Sequence, residues 1–157
     1  MGERPRASAR DRALRLLAER SRSREELRRR LARAGYEPDE VAVALASLDE
    51  AGLVDDEAFA REVVAHEVGR KGLGRRAAMS SLRRRGVDAE TAERVLDEAG
   101  PQDEEARADE LARARAARMT GLAPQVAHRR LVSFLARRGY DARVAHASAR
   151  RALGDEE

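Results

Sequence analysis

Three histidines, a pair of adjacent aspartates and one glycine-rich turn are the parts of this chain that could carry chemistry. His66, His128 and His146 are scattered along it without the short spacing that chelates a metal, which suits packing or surface roles. Asp55 and Asp56 fall where a helix should begin, and acids are favoured there by the helix dipole alone. Gly69, Gly72 and Gly74 make a glycine-rich turn, but no strand precedes it and no Gly-Lys-Ser/Thr follows, so it is not a phosphate loop. The chain has no cysteine, hence no thiolate nucleophile, no disulfide and no thiolate metal site. The serines lack partners. The residue types point to a binding protein rather than an enzyme, with no cofactor and no metal.

What the chain has in quantity is arginine. Lys and Arg number 32 against 29 Asp and Glu, so the net charge is only +3 although 39% of residues are charged. The signs come in blocks. Residues 1–36 hold twelve Arg and five acids, 37–68 one Arg and ten acids, and 69–87 seven cations and no acid. Residues 88–110 hold two Arg and ten acids, and 111–151 ten Arg and one acid. Leucines and valines at helical spacing run through every block, so these are charged faces of folded helices rather than solvated runs. The candidate partner surface is Arg28, Arg29, Arg30 and Arg33 in the first part; Arg70, Lys71, Arg75, Arg76, Arg83, Arg84 and Arg85 in the middle; and Arg129, Arg130, Arg137 and Arg138 in the last. Arg33, Arg84 and Arg137 also have a structural reason to be basic, because a cation at a helix C-terminus gains about 0.3–1 kcal/mol there. The stretch "GRKGLGRR" (Gly69 to Arg76) has no such explanation.

The elements that must present these cations are helices. Leu27 and Leu31 are four apart, as are Leu131 and Leu135, and Val41, Leu45 and Leu48 follow i, i+4, i+7. No segment alternates long enough to make a strand. One phrase occurs three times: "RLARAGYEPDEVAVAL", "SLRRRGVDAETAERVL" and "FLARRGYDARVAHASA". Gly35, Gly86 and Gly139 end a basic helix in a left-handed cap, and Glu37, Asp88 and Asp141 open the next one. A large apolar residue stands four before each glycine: Leu31, Leu82 and Leu135. The glycines lie 51 and 53 residues apart, a repeat of about fifty residues with room for three helices each.

The spacing predicts helices near Ala9–Arg20, Arg24–Ala34 and Pro38–Ala51; Asp56–Val68, Gly74–Arg85 and Ala89–Glu98; and Glu104–Met119, Pro124–Arg138 and Ala142–Leu153. "SREE" (Ser23 to Glu26) is a capping box. The expected fold is all-α: three tandem three-helix repeats, residues 10–54, 55–102 and 103–153, stacked into an elongated, curved array. A flexible tail is expected at 1–9 and an acidic one at 154–157. Stacking should bring the basic middle helices to one side.

Three-helix units with basic residues invite a helix-turn-helix reading, but the third helices of repeats one and two are acidic and phosphate would repel them. The four aromatics, Tyr36, Phe59, Phe134 and Tyr140, are too few for a base-stacking platform, and Phe59 is expected in the core. A surface banded in both signs suits a protein partner that is itself banded, including one already seated on nucleic acid.

The chain resembles the RecX regulatory proteins of bacteria. The resemblance runs from about Ala13 to Leu153. It is carried by "ALRLLAERSRSREELRRRLARAGY", by "GLVDDEAFA" (Gly52 to Ala60), and by the glycine-rich turn with "LRRRG" that ends at Gly86. The third repeat matches least. The resemblance implies three tandem three-helix repeats. It also implies binding to the RecA recombinase filament on single-stranded DNA, with restraint of its ATPase, strand-exchange and co-protease activities. It brings no catalytic residues. Lys71 is the only lysine, a departure that matters wherever a contact is forked. Single-stranded DNA is a second candidate partner, and a stand-alone nucleic-acid-binding repeat protein is the rival reading. No uncharged run approaches the roughly 20 apolar residues of a membrane span, so a cytoplasmic monomer is expected.

Overall fold

The computed structural model describes residues 6–154; the first five residues of the expected N-terminal tail and the last three of the acidic tail lie outside them. The described residues are helical, with no strand among them. The first unit is α1 (Ala9–Glu19), α2 (Arg24–Arg33) and α3 (Pro38–Glu50). The second is α4 (Asp56–Val64), α5 (Arg75–Arg84) and α6 (Ala89–Glu98). The third is α7 (Pro101–Ala116), α8 (Pro124–Arg137) and α9 (Ala142–Leu153).

The thrice-repeated phrase is one local structure. Gly35, Gly86 and Gly139 have φ of 86°, 84° and 93°, the left-handed conformation that only glycine adopts without strain. The residue after each reaches back to the leucine: Tyr36 N donates to Leu31 O at 3.2 Å, Val87 N to Leu82 O at 3.0 Å and Tyr140 N to Leu135 O at 3.1 Å. Both side chains of each pair are buried, so the cap carries its own apolar contact. Asp88 and Asp141 then cap α6 and α9 through Thr91 N and Val144 N. Glu37 stands at the same position of α3 without a side-chain cap bond, and Pro38 takes the first turn, where a missing N–H is no loss.

Two helices depart from expectation. The helix predicted over Asp56–Val68 is α-helical only to Val64 and continues as a π-helical turn, Ala65–Arg70. Leu73 N bonds Glu67 O at 3.0 Å and Gly72 N bonds Val68 O at 3.1 Å, a glycine cap opened by one residue. The wide turn takes up the extra residue before Gly72 turns the chain at φ 66°. In the third unit α7 begins at Pro101 rather than Glu104, because Gly100 at φ 73° feeds Pro101 directly into a first helical turn, and ends at Ala116 rather than Met119, where Arg118 N and Met119 N bond three residues back instead of four.

Each unit has its own core. Leu16, Leu27, Leu31, Val41, Leu45 and Leu48 fill the first, Phe59, Val63, Leu82, Val95 and Leu96 the second, and Leu135, Tyr140, Val144 and the alanines of α7 the third. The helix pairs that pack extensively all lie within a unit, which makes the array elongated.

The units meet through their middle helices, end to end. The C-terminus of α8 faces the N-terminus of α5, where Gly74 N donates to Arg138 O at 2.8 Å and Arg76 N to Gly139 O at 3.0 Å. The C-terminus of α5 faces the N-terminus of α2 in the same way, with Ser23 Oγ donating to Arg85 O and an Arg29 guanidinium nitrogen to Arg84 O at 3.0 Å. Carbonyls left free at one helix end thus meet donors at the next, and the three dipoles run head to tail. The basic middle helices are aligned, as a column rather than a side-by-side layer.

Candidate partner-binding surface

The column sorts the candidate cations into two kinds. Some hold the fold together. Arg28 donates to both oxygens of Glu25 at 2.7 and 2.6 Å, and Arg29 joins it at 3.1 Å. The Arg28 guanidinium, with Arg29 beside it, keeps the Glu25 carboxyl below its ordinary range. Lys71 lies 3.4 Å from buried Glu67. Arg75 bridges Glu93 at 3.0 Å and Asp97 at 2.8 Å, and its backbone N–H donates to Glu104 at 2.9 Å across to the third unit. Arg138 donates to the Lys71 carbonyl and lies over the Phe134 ring. Arg85 is half-buried and lends its carbonyl to the joint.

The others are exposed and make no side-chain bond among the described residues: Arg30, Arg33, Arg70, Arg76, Arg83, Arg84, Arg129, Arg130 and Arg137. Arg76, Arg83 and Arg84 border a shallow hollow on α5 with Met79 and Ser80. The densest group is at the far end of the array. Arg129, Arg130 and Arg137 of α8 face Arg115 and Arg118 from the end of α7 around a cleft of about 640 Å³, with Met119 and Ser133 in its wall. Arg115 lies 5.1 Å from the Phe134 ring centroid, and none of the five has an acidic partner among the described residues. Five like charges around one hollow repel each other until a polyanion enters, and arginine forks match phosphate and carboxylate oxygens.

Sequence reasoning did not nominate Arg115 and Arg118. They lie in the block with the largest excess of arginine over acids, but that α7 carries them to the mouth of the α8 groove depends on packing. It also treated the histidines as unrelated. His128 Nε2 and His146 Nδ1 are 3.1 Å apart, because α8 and α9 pack face to face. No third ligand joins them, and no group of three metal-binding side chains occurs among the described residues. Asp55 is a helix cap, accepting from Glu57 N and Ala58 N, as its position suggested. Asp56 differs: it crosses to the first unit and accepts from Arg24 N at 2.8 Å. Burial, opposed by that bond and reinforced by Asp88, pushes its carboxyl above the ordinary range. Among the described residues no helix is long and apolar enough to cross a membrane.

Comparison with known proteins covers the whole array. Three family models match in tandem, described as the first, second and third three-helix domains of RecX, over residues 9–48, 55–96 and 103–147. The regulatory protein RecX of Amycolatopsis mediterranei is 43% identical over 131 residues, 83% of this chain and 75% of that one. That of Thermobifida fusca is 42% identical over 151 residues, 96% and 81% of the two chains. That of Chlorobaculum tepidum is 33% identical over 99% and 95%. The crystal structure of RecX from Lactobacillus salivarius superimposes with a TM-score of 0.86 at 18% identity, covering 92% of this chain and 94% of that one, a likeness of fold.

Proposed function

The chain belongs to the RecX family, and from that we propose that it regulates the RecA recombinase by binding its filament on single-stranded DNA and restraining ATP turnover, strand exchange and co-protease activity. The whole-chain family match carries this reading. The physical layout supports it. The three middle helices run end to end as a column, and arginines unpaired among the described residues occur on all three units, most densely around the cleft of the third. A bridging rod couples subunits and resists the changes that accompany each turnover. The protein acts as a monomer in the cytoplasm, and no catalytic step is assigned to it.

The test is RecA's DNA-dependent ATPase with increasing amounts of the protein, beside co-sedimentation with RecA filaments and with naked single-stranded DNA. Inhibition well below one molecule per recombinase subunit means that filament growth is blocked; inhibition only near saturation means that the protein occupies the helical groove of the filament. The five-arginine cleft favours one second reading, a stand-alone nucleic-acid-binding repeat protein. Unchanged ATPase at every ratio together with tight binding to naked DNA would select it.

A further inference from the structure

A groove of about 400 Å³ opens where the first and second units meet, far from the arginine-lined hollows in character. Its first wall is apolar, built from Tyr36, Pro38, Val41 and Leu45; its second carries Asp56 and Asp88. The arginines at the rim are already committed, Arg24 to Asp49 and Arg28 to Glu25. Several of the less exposed acids of this chain are met by cations, Glu67 by Lys71 and Asp109 by Arg151, while others have none among the described residues. Asp56 is half-buried and has only a backbone N–H, and Asp88 spends both oxygens on Thr91; neither forms an ion pair among the described residues.

We propose that this groove is a receptor slot for a basic side chain, arginine or lysine, presented by a partner protein next to an apolar residue. The methylene stem lies along Val41 and Leu45, and the cationic head meets Asp56, whose buried charge it neutralises. An acidic side chain is repelled by both aspartates. A purely apolar one fits the wall but buries Asp56 further without a partner, which is costly. The lip of the groove extends the apolar wall outward: Ala42 borders it, and Val43, the next residue on α3, is 72% exposed. Val43 is where the neighbouring apolar residue of the partner rests. Because the two walls belong to different units, an occupant ties the units together at a joint otherwise held by a few hydrogen bonds and the packing of Gly86 against Glu25.

The experiment needs no recombinase, so its outcome is independent of the regulatory reading. The ¹⁵N-labelled full chain is titrated with acetyl-Leu-Arg-amide, acetyl-Leu-Gln-amide and acetyl-Leu-Glu-amide, and amide shifts are followed by NMR. The arginine peptide should move the amides of Ala42, Val43, Asp56 and Gly86, and the glutamate peptide should not. Asp56→Asn keeps the oxygen that accepts from Arg24 N, so the fold is retained, and it should weaken the arginine peptide by about tenfold or more. Val43→Ser, at an exposed position, should weaken it roughly threefold. The proposal is overturned if Asp56→Asn binds as the parent does, or if the three peptides bind alike. It is also overturned if these amides move on dilution of the protein alone, which would assign the slot to a second copy of the chain.

Discussion

Gly86 packs so closely against Glu25 that a Cβ on the glycine would overlap the Cβ of the glutamate. The same residue that ends α5 in a left-handed turn is therefore also the contact surface for α2 of the neighbouring unit. Gly52, at φ 70°, has the same backbone requirement with nothing within 4 Å of the Cβ position. Gly52→Ala should lower stability by about 1–2 kcal/mol, the cost of a left-handed alanine. Gly86→Ala should cost that plus about 1–3 kcal/mol of overpacking at the joint. Urea denaturation of both variants measures the difference; equal losses would mean that the joint is not close-packed.

Tyr140 is fully buried and donates its hydroxyl to Gly72 O at 2.9 Å, tying the third unit to the second. Tyr36 makes the matching bond to Ala7 O at 2.7 Å inside the first unit. Tyr140→Phe should lower stability by about 1 kcal/mol and speed hydrogen exchange at the joint amides of Gly74 and Arg76. Tyr36→Phe should cost a similar amount and leave those two amides unchanged.

Ser148 and Arg151 of α9 both donate to Asp109 of α7, at 2.6 and 2.7 Å. Burial works against the charge on Asp109, but hydrogen bonds from Arg151 and Ser148, with the positive charges of Arg151 and Arg113, outweigh it and hold the carboxyl below its ordinary range. A lowered folded-state pKa means stability that is fully present above the unfolded-state value and lost as pH falls through the folded-state value. Asp109→Asn should remove about 1 kcal/mol near neutral pH, a low figure because Arg151 is partly open to solvent. The gap between variant and parent should close on acidification below the unfolded-state carboxylate value. A gap that stays constant to low pH would show that the charge is not responsible.

The two kinds of cation should separate on mutation. Arg75→Gln breaks bonds to Glu93 and Asp97 and should lower stability by less than about 1 kcal/mol. Changing Arg115, Arg118, Arg129 and Arg130 together to Gln removes no acidic partner and should leave melting unchanged or slightly higher. If the cleft meets single-stranded phosphate, each lost contact flattens the salt dependence of binding by about 0.7. If it meets carboxylates of a protein, binding weakens with a smaller change of slope. Glu90, whose side chain is 90% exposed and touched only by Arg94 among the described residues, is the acidic control. Equal weakening by Glu90→Gln and by the arginine set would remove the cleft from the interface.

The sequence by itself determined the helices, their caps and their threefold repetition, because these are local. A left-handed glycine, an acid two residues on and a leucine four before define a cap within eight residues, whatever surrounds it. Leu31, Leu82 and Leu135 were legible as core for the same reason: helical spacing puts them on the inner face. Composition could also show that arginine, not a catalytic set, is what this chain displays. Only the tertiary structure decided which arginines are available. Arg75 and Arg76 are neighbours in sequence, yet one is tied to α6 and the other is open to solvent. That difference is set by where α6 passes. Arg115 and Arg118 reach the α8 cleft, His128 meets His146, and Asp56 is left without an ion pair among the described residues for the same reason. Charge pairing acts over a few ångströms in space, between residues tens of positions apart in the chain, and no local pattern encodes that distance. The π-helical turn at Ala65–Arg70 was hidden in a similar way, since no spacing in its residues marks the extra one, which is taken up only in reaching Gly72.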